Sequence, residues 1–146
     1  FQVERERDRT WILDIAHNSD GVRALTKTIE EVNPPRPRIG VVGILDDKPW
    51  KEMLRELDSV LDAVILTTPS SAPKARSWEP KIAAQDLSPD RVGLSAGVGT
   101  AMETARTMTG PSGTVVVTGS TYTVGECLTH LGRIPAEALP VPFDSG

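Results

Sequence analysis

Five short segments hold most of the side chains in this sequence that could do chemistry. They are Asp14-Ile15-Ala16-His17-Asn18, Gly43 to Lys48, Thr67 to Arg76, Ser95-Ala96-Gly97 and Thr118-Gly119-Ser120-Thr121. Together they supply a carboxylate, an imidazole, an amide, a lysine, an arginine and hydroxyls. Gathered in one place, such a set suits an anionic ligand. Each member also has a plainer use. Asp14 closes an apolar run, where an acidic residue either caps the following helix or binds a ribose hydroxyl. His17 is either a satisfied structural histidine or a ligand contact. Asn18 suits a helix cap. Lys48 by itself reads as a solvated loop residue. Lys74 and Arg76 divide evenly between an anion contact and solubility. Gly119 permits close backbone approach, and Ser120 beside it either donates to an anion or caps a second helix.

Other chemistry is missing from the pattern. There is no G-x-x-x-x-G-K-[ST], and Gly97-Val98-Gly99 lacks the third glycine of a dinucleotide fingerprint. Neither H-E-x-x-H nor G-x-S-x-G occurs. The single cysteine, Cys127, excludes an internal disulfide and a zinc site of several cysteines. It lies between Glu126 and Leu128 in a helical stretch, so buried packing is expected rather than reactivity. His130, in the last turn of that helix, complements its dipole. No metal site is expected in this chain.

The elements that must position these residues alternate in period. Gln2 to Asp8 alternates in polarity, and Thr10 to Ile15 is mostly apolar, with a tight turn expected at Asp8-Arg9. The charges of Glu4-Arg5-Glu6-Arg7 suit an edge strand. Val22, Leu25, Ile29 and Val32 follow helical spacing, closed by Asn33-Pro34-Pro35. Arg38 to Ile44, Ala63 to Thr67, a weaker Arg91 to Leu94, and Thr114 to Thr118 read as strands. Helices are expected from Pro49 to Val60, over Pro80 to Asp86, along Val98 to Met108 and over Tyr122 to Leu131. Strands alternating with helices give an α/β domain: Rossmann-like, three-layered, with a mostly parallel sheet and an antiparallel N-terminal edge hairpin. In such sheets ligands bind outside the carboxyl ends of the strands. Each of the five polar segments follows a strand, so all five are expected on one rim. Helix N-termini there offer free N–H groups to anions.

At about 150 residues per domain, 146 residues make one domain. Apolar residues are 38% and charged residues 25%, which is ordinary for a globular chain. Sixteen basic against twenty acidic residues give a net charge of −4, against a sequence-independent nucleic-acid binder. No apolar run approaches the roughly 18 residues of a membrane span. Phe1-Gln2-Val3-Glu4-Arg5 is not a signal-peptide pattern, and a cytoplasmic domain is expected. The sequence opens without Met and inside a strand-like pattern, so the expectation is a domain of a longer protein. After Gly132 come prolines without periodicity, and residues 133–146 are expected to form a tail.

Three segments carry a family resemblance. Leu13-Asp14-Ile15-Ala16-His17-Asn18 resembles the D-x-A-H-N signature of the folylpolyglutamate synthase and dihydrofolate synthase family. Gly43-Ile44-Leu45-Asp46-Asp47-Lys48 resembles the family loop ending in D-K-D. Val116 to Glu126 resembles V-T-G-S-x-Y-x-V-G-E. The likeness covers residues 1–132, the family's C-terminal domain. It departs at Ser19, where the family usually has proline, and at Pro49, where it usually has aspartate.

The resemblance implies an ATP-dependent amide ligase with magnesium. ATP phosphorylates a folate or pteroate carboxylate, and the amine of L-glutamate attacks the acyl phosphate. The P-loop and metal ligands belong to an N-terminal ATPase domain outside this sequence. Carried over by position, Asp14 contacts the nucleotide, with Asn18 and Arg76 on that cofactor side. His17 is the catalytic candidate and, with Ser120, binds or orients glutamate. Lys48 is a further substrate-side residue, facing phosphate or carboxylate. The family implies a monomer. The rival readings are the corresponding domain of a Mur peptidoglycan-precursor ligase, and a free-standing nucleotide-binding or interaction domain.

Overall fold

The charged alternating run and the apolar run behind it form a hairpin. In the computed structural model, which describes residues 1–133, Gln2–Glu6 (β1) pairs antiparallel with Arg9–Asp14 (β2), from Gln2 opposite Leu13 to Glu6 opposite Arg9. The turn falls on Arg7-Asp8, one residue earlier than expected, with Arg7 left-handed at φ 56°. The tail expected over 133–146 lies outside the described residues from residue 134 onward.

Ser19–Val32 (α1) starts where Asn18 stops the strand direction. Asn18 Oδ1 accepts from the Gly21 N–H at 2.7 Å, and Asp20 sits in the first turn. Asn33 ends the helix in the left-handed conformation, a standard stop before two prolines. Arg38–Val42 (β3) follows, then Trp50–Asp58 (α2), with Pro49 as its N-cap. Ala63–Leu66 (β4), Pro80–Ala83 (α3), Val92–Leu94 (β5), Val98–Thr109 (α4), Thr114–Thr118 (β6) and Thr121–His130 (α5) complete the order. The long polar loop after β4 contains a single 3-10 turn, Lys74–Arg76.

The sheet order is β1-β2-β6-β3-β4-β5, and every pair after the hairpin is parallel. Every residue of β3, β4 and β6 is buried, as continuous β-branched runs in a parallel sheet require. Two cores result. Ile12, Val42, Leu66 and Val116 meet Val22, Leu25 and Ile29 of α1 and Met53, Leu54 and Leu57 of α2. Trp11, Leu13, Val41, Ile65, Val115 and Val117 meet Val98, Met102 and Ala105 of α4 and Val124, Cys127 and Leu128 of α5. The helical stripes read from the sequence are the faces that pack, except at the last turn of α1, where Val32 is 57% exposed.

Register fixes the rim. Asp14 lies level with Thr118, Thr118 with Val42, Val42 with Leu66, and Leu66 with Leu94. Five parallel strands therefore end on one line. β6 is inserted between β2 and β3 although it comes last, so three loops distant in sequence become neighbours there. At the opposite end the arginine opening β3 is only 2% exposed. Arg38 Nε donates to Pro34 O at 3.0 Å and Nη2 to Asn33 Oδ1 at 2.6 Å. It staples the end of α1 to the sheet, a role its place at the head of an apolar run did not reveal.

Candidate functional site

Strand alternation puts Asp14 on the face of Ile12, under α1. Its Oδ1 accepts from the Ala16 N–H at 2.9 Å, turning the chain away from the strand. Oδ2 lies 3.2 Å from the main-chain nitrogen of Phe1 across the hairpin. The helix cap is Asn18, so Asp14 is not the cap of α1. His17 is half-buried, with Nδ1 3.2 Å from Ile15 O. A carbonyl only accepts, so that contact requires the proton on Nδ1 and leaves the Nε2 lone pair unused. Ile15 beside it is 54% exposed, an apolar side chain standing at a polar rim.

The β6 end is tighter. Gly119 has φ 115°, and a Cβ there would lie 2.4 Å from Gly43 O. Only glycine fits that approach of β6 to β3. Ser120 is fully buried, and its Oγ accepts from the Thr123 N–H at 3.1 Å. Thr123 Oγ1 donates to Gly43 O at 2.9 Å, which uses its only proton. The 3.0 Å contact between the two hydroxyls is therefore donated by Ser120. Both hydrogen-bonding directions of Ser120 are committed inside the protein. Of the two uses open to it, the hydroxyl here takes the cap: it closes the start of α5 and, through Thr123, pins the β6 end to Gly43. Thr67 and Thr118, also at strand ends, are buried with no hydrogen-bond partner for their hydroxyls.

The next two rim loops are fastened to each other. The Asp46 N–H donates to Arg76 O at 2.8 Å, and Leu45 bridges to Ser77. Arg76, mostly buried, extends Nε to Asp47 Oδ2 at 3.2 Å and Nη2 to the same oxygen at 3.1 Å. Arg76 is thus brought to the Asp46-Asp47-Lys48 loop. Lys48 is half-buried, and its N–H donates to Leu45 O at 3.1 Å. Trp78 anchors the far end of the polar loop, donating from Nε1 to Thr67 O at 2.8 Å and meeting Trp50 edge-on at 6.3 Å. Beyond β4 and β5 an open cavity of about 400 Å³ is lined by Thr68, Pro80, Lys81, Leu94 and Ser95 among others.

Among the described residues no group of three or more His, Cys, Asp or Glu could hold a metal ion. Cys127 is buried and desolvation pushes its thiol up to about 12, so it stays protonated and inert.

Sequence reasoning placed Asp14, His17, Asn18 and Lys48 on the rim, and there they stand. It missed what Tyr122, Thr123 and Glu126 do. Tyr122 packs with Leu45 and Ala72, Thr123 holds Gly43, and Glu126 Oε2 accepts from the Ser71 N–H at 2.9 Å. Their signal was the motif itself, whose helical spacing put three inward residues on neighbouring loops.

Comparison with known proteins agrees with this architecture. The family model described as Mur ligase, glutamate ligase domain matches residues 1–121. A dihydrofolate synthase/folylpolyglutamate synthase of Mycobacterium tuberculosis (strain ATCC 25618 / H37Rv) is 30% identical, over 92% of this chain and 31% of that protein. The structure of E. coli FolC in complex with DHPP and ADP superposes with a TM-score of 0.79 at 25% identity, over 90% of this chain and 30% of that one. A bifunctional folylpolyglutamate synthase/dihydrofolate synthase with Mn, AMPPNP and L-glutamate bound gives a TM-score of 0.75 at 27% identity, over 90% and 31%. The chain spans about three-tenths of the length of these relatives.

Proposed function

Since the chain belongs to the Mur ligase glutamate ligase domain family, we propose that it is the C-terminal, glutamate- and nucleotide-contacting domain of an ATP-dependent ligase that joins L-glutamate to dihydropteroate, tetrahydrofolate or both. Residues 1–132 form that domain. The nucleotide-hydrolysing machinery and the metal ligands lie in an N-terminal domain of the same protein. The observation that carries this reading is the single line of strand ends, which brings the Asp14-to-Asn18 turn and the Lys48 loop to the two sides of the β6 end.

On this reading each residue has a physical task. The Asp14 carboxylate accepts from ribose hydroxyls. A residue preceding Phe1 would enter beside it, because Phe1 N already lies 3.2 Å from Oδ2. His17 presents Nε2 to the glutamate ammonium. It takes one of the protons that the nitrogen sheds before or as it bonds to the acyl carbon and phosphate leaves. Lys48 neutralises a carboxylate or phosphate oxygen. Arg76 acts on the same loop through Asp47, and Asn18 holds the α1 N-terminus toward the ligand. Ser120 contributes through a hydroxyl that fixes the β6 turn rather than one that contacts a ligand. Magnesium, held by the other domain, neutralises phosphate charge.

The test is acceptor dependence in the full-length protein. ADP release should require both L-glutamate and a pteroate or folate acceptor. ADP release with a muramyl precursor in place of the folate would transfer the domain to the peptidoglycan ligases. A full-length protein that makes no ADP with any of these acceptors would leave a binding module.

A further inference from the structure

Tyr122 and Glu126 belong to the third motif, yet neither is among the groups assigned to ligands. We propose that Glu126 is a positioning residue for Lys48: it fastens the polar loop of residues 67–78 to α5, and that loop holds the Asp46-Asp47-Lys48 loop at the rim. The proposal rests on the reading of Lys48 as a substrate-side residue.

Glu126 gathers three donors from two adjacent serines. Oε2 accepts from the Ser71 N–H at 2.9 Å and from the Ser71 hydroxyl, and Oε1 accepts from the Ser70 hydroxyl at 3.3 Å. A carboxylate has enough lone pairs for all three, and hydrogen bonds to an ionised acceptor are the stronger kind. One turn earlier on the same helix, Tyr122 packs on Ala72 and on Leu45, a residue from each loop. Thr123 holds Gly43 O, at the root of the Lys48 loop. Positions 122, 123 and 126 thus form one side of α5 that grips both loops.

The grip is relayed. Ala72 and Ser71 fix one end of the polar loop against α5, and Arg76 and Ser77 at its other end hold Asp46, Asp47 and Leu45. Lys48 is the next residue, and its N–H returns to Leu45 O. Without the carboxylate, the Ser71 N–H turns to water, and the hold of α5 on residues 70–72 falls back on the packing of Tyr122 against Ala72. The loop then samples more positions, and the Asp46–Lys48 segment moves with it.

The test uses the full-length protein, with amide hydrogen exchange and steady-state kinetics on Glu126→Ala and Glu126→Gln. In Glu126→Ala the amides of Ser71, Asp46 and Lys48 should exchange at least about tenfold faster, with Val116 and Ile65 in the core unchanged. KM for L-glutamate should rise roughly tenfold with kcat held within about threefold. Gln keeps one acceptor for the Ser71 N–H and should recover most of both effects. Faster exchange at Ser71 alone, with Asp46 and Lys48 at the wild-type rate, overturns the relay. Loosening of both loops with an unchanged glutamate KM overturns the positioning role. If the wild-type protein joins no glutamate at all, the function proposed above fails instead, and the exchange pattern still decides whether Glu126 holds the Lys48 loop.

Discussion

Two residues carry the sharpest consequences. Ser120 was attractive as an anion donor because it follows Gly119 at a strand end. Its hydroxyl is instead closed within the Thr123 and Gly43 pair. Ser120→Ala removes an N-cap acceptor and leaves the Thr123 amide unpaired in a buried place. Chemical denaturation of the chain should show a loss of about 1–3 kcal/mol, with the slope unchanged. An undestabilised Ser120→Ala protein whose full-length form binds glutamate poorly would restore the hydroxyl to the site. His17 is the opposite case. It is half-buried, and its one protein contact leaves Nε2 unused. His17→Ala should leave the unfolding midpoint nearly unchanged and lower glutamate ligation by the full-length protein by roughly two orders of magnitude. Near wild-type turnover would take His17 out of the chemistry.

At the scale of elements, the hairpin is held to α4 by a charged cluster far from the rim. Glu6 accepts from Nε and Nη2 of Arg106, each at 3.0 Å, and from Arg9 at 2.7 Å. Arg106 in turn covers the Trp11 ring at 5.1 Å. The Arg106 hydrogen bonds, then those of Arg9 and Trp11, outweigh partial burial and hold the Glu6 carboxyl below its usual value. A carboxylate with a lowered folded pKa stabilises the fold above its unfolded pKa and loses that contribution as pH falls through the folded value. The stability gap between the chain and its Glu6→Gln variant should therefore be constant near neutrality and close in the acid range, below the usual carboxylate pKa. Unfolding midpoints taken from neutral pH downward measure it. A gap that stays open in acid would mean that the variant suffers from altered packing rather than a lost ion cluster.

At the scale of the molecule, the proposed function makes the rim one side of a site. It offers a carboxylate, an imidazole and a lysine, but the described residues hold no cluster of three or more His, Cys, Asp or Glu, and the sequence has no P-loop. The 146-residue chain alone, given ATP, L-glutamate and a folate, should therefore release no ADP above background. Turnover by this chain would show that the nucleotide chemistry is contained within it.

Much of this was legible in the sequence because it rests on local physics. The periods of Val22, Leu25 and Ile29 and of Val98, Ala101, Met102 and Ala105 set two helix faces, and the β-branched runs set the strands. The order of strand and helix set a parallel sheet, which puts Asp14, His17 and Lys48 at one end of it. The role of the arginine at position 38 was passed over, and the serine at position 120 stayed open between an anion donor and a helix cap. Their meaning depends on contacts that periodicity does not reveal: the Pro34 carbonyl and the Asn33 side chain for one, and for the other a Thr123 hydroxyl whose proton goes to Gly43 O and which therefore takes the serine's. Insertion of β6 between β2 and β3 was equally invisible, since alternation of elements fixes the kind of sheet but not the strand order. Sequence alone determined which residues face the core and which face the rim, because side-chain direction follows from spacing. Only the tertiary structure decided which rim hydroxyls remain available and which loops grip each other, because hydrogen-bond partners distant in the chain are chosen by packing.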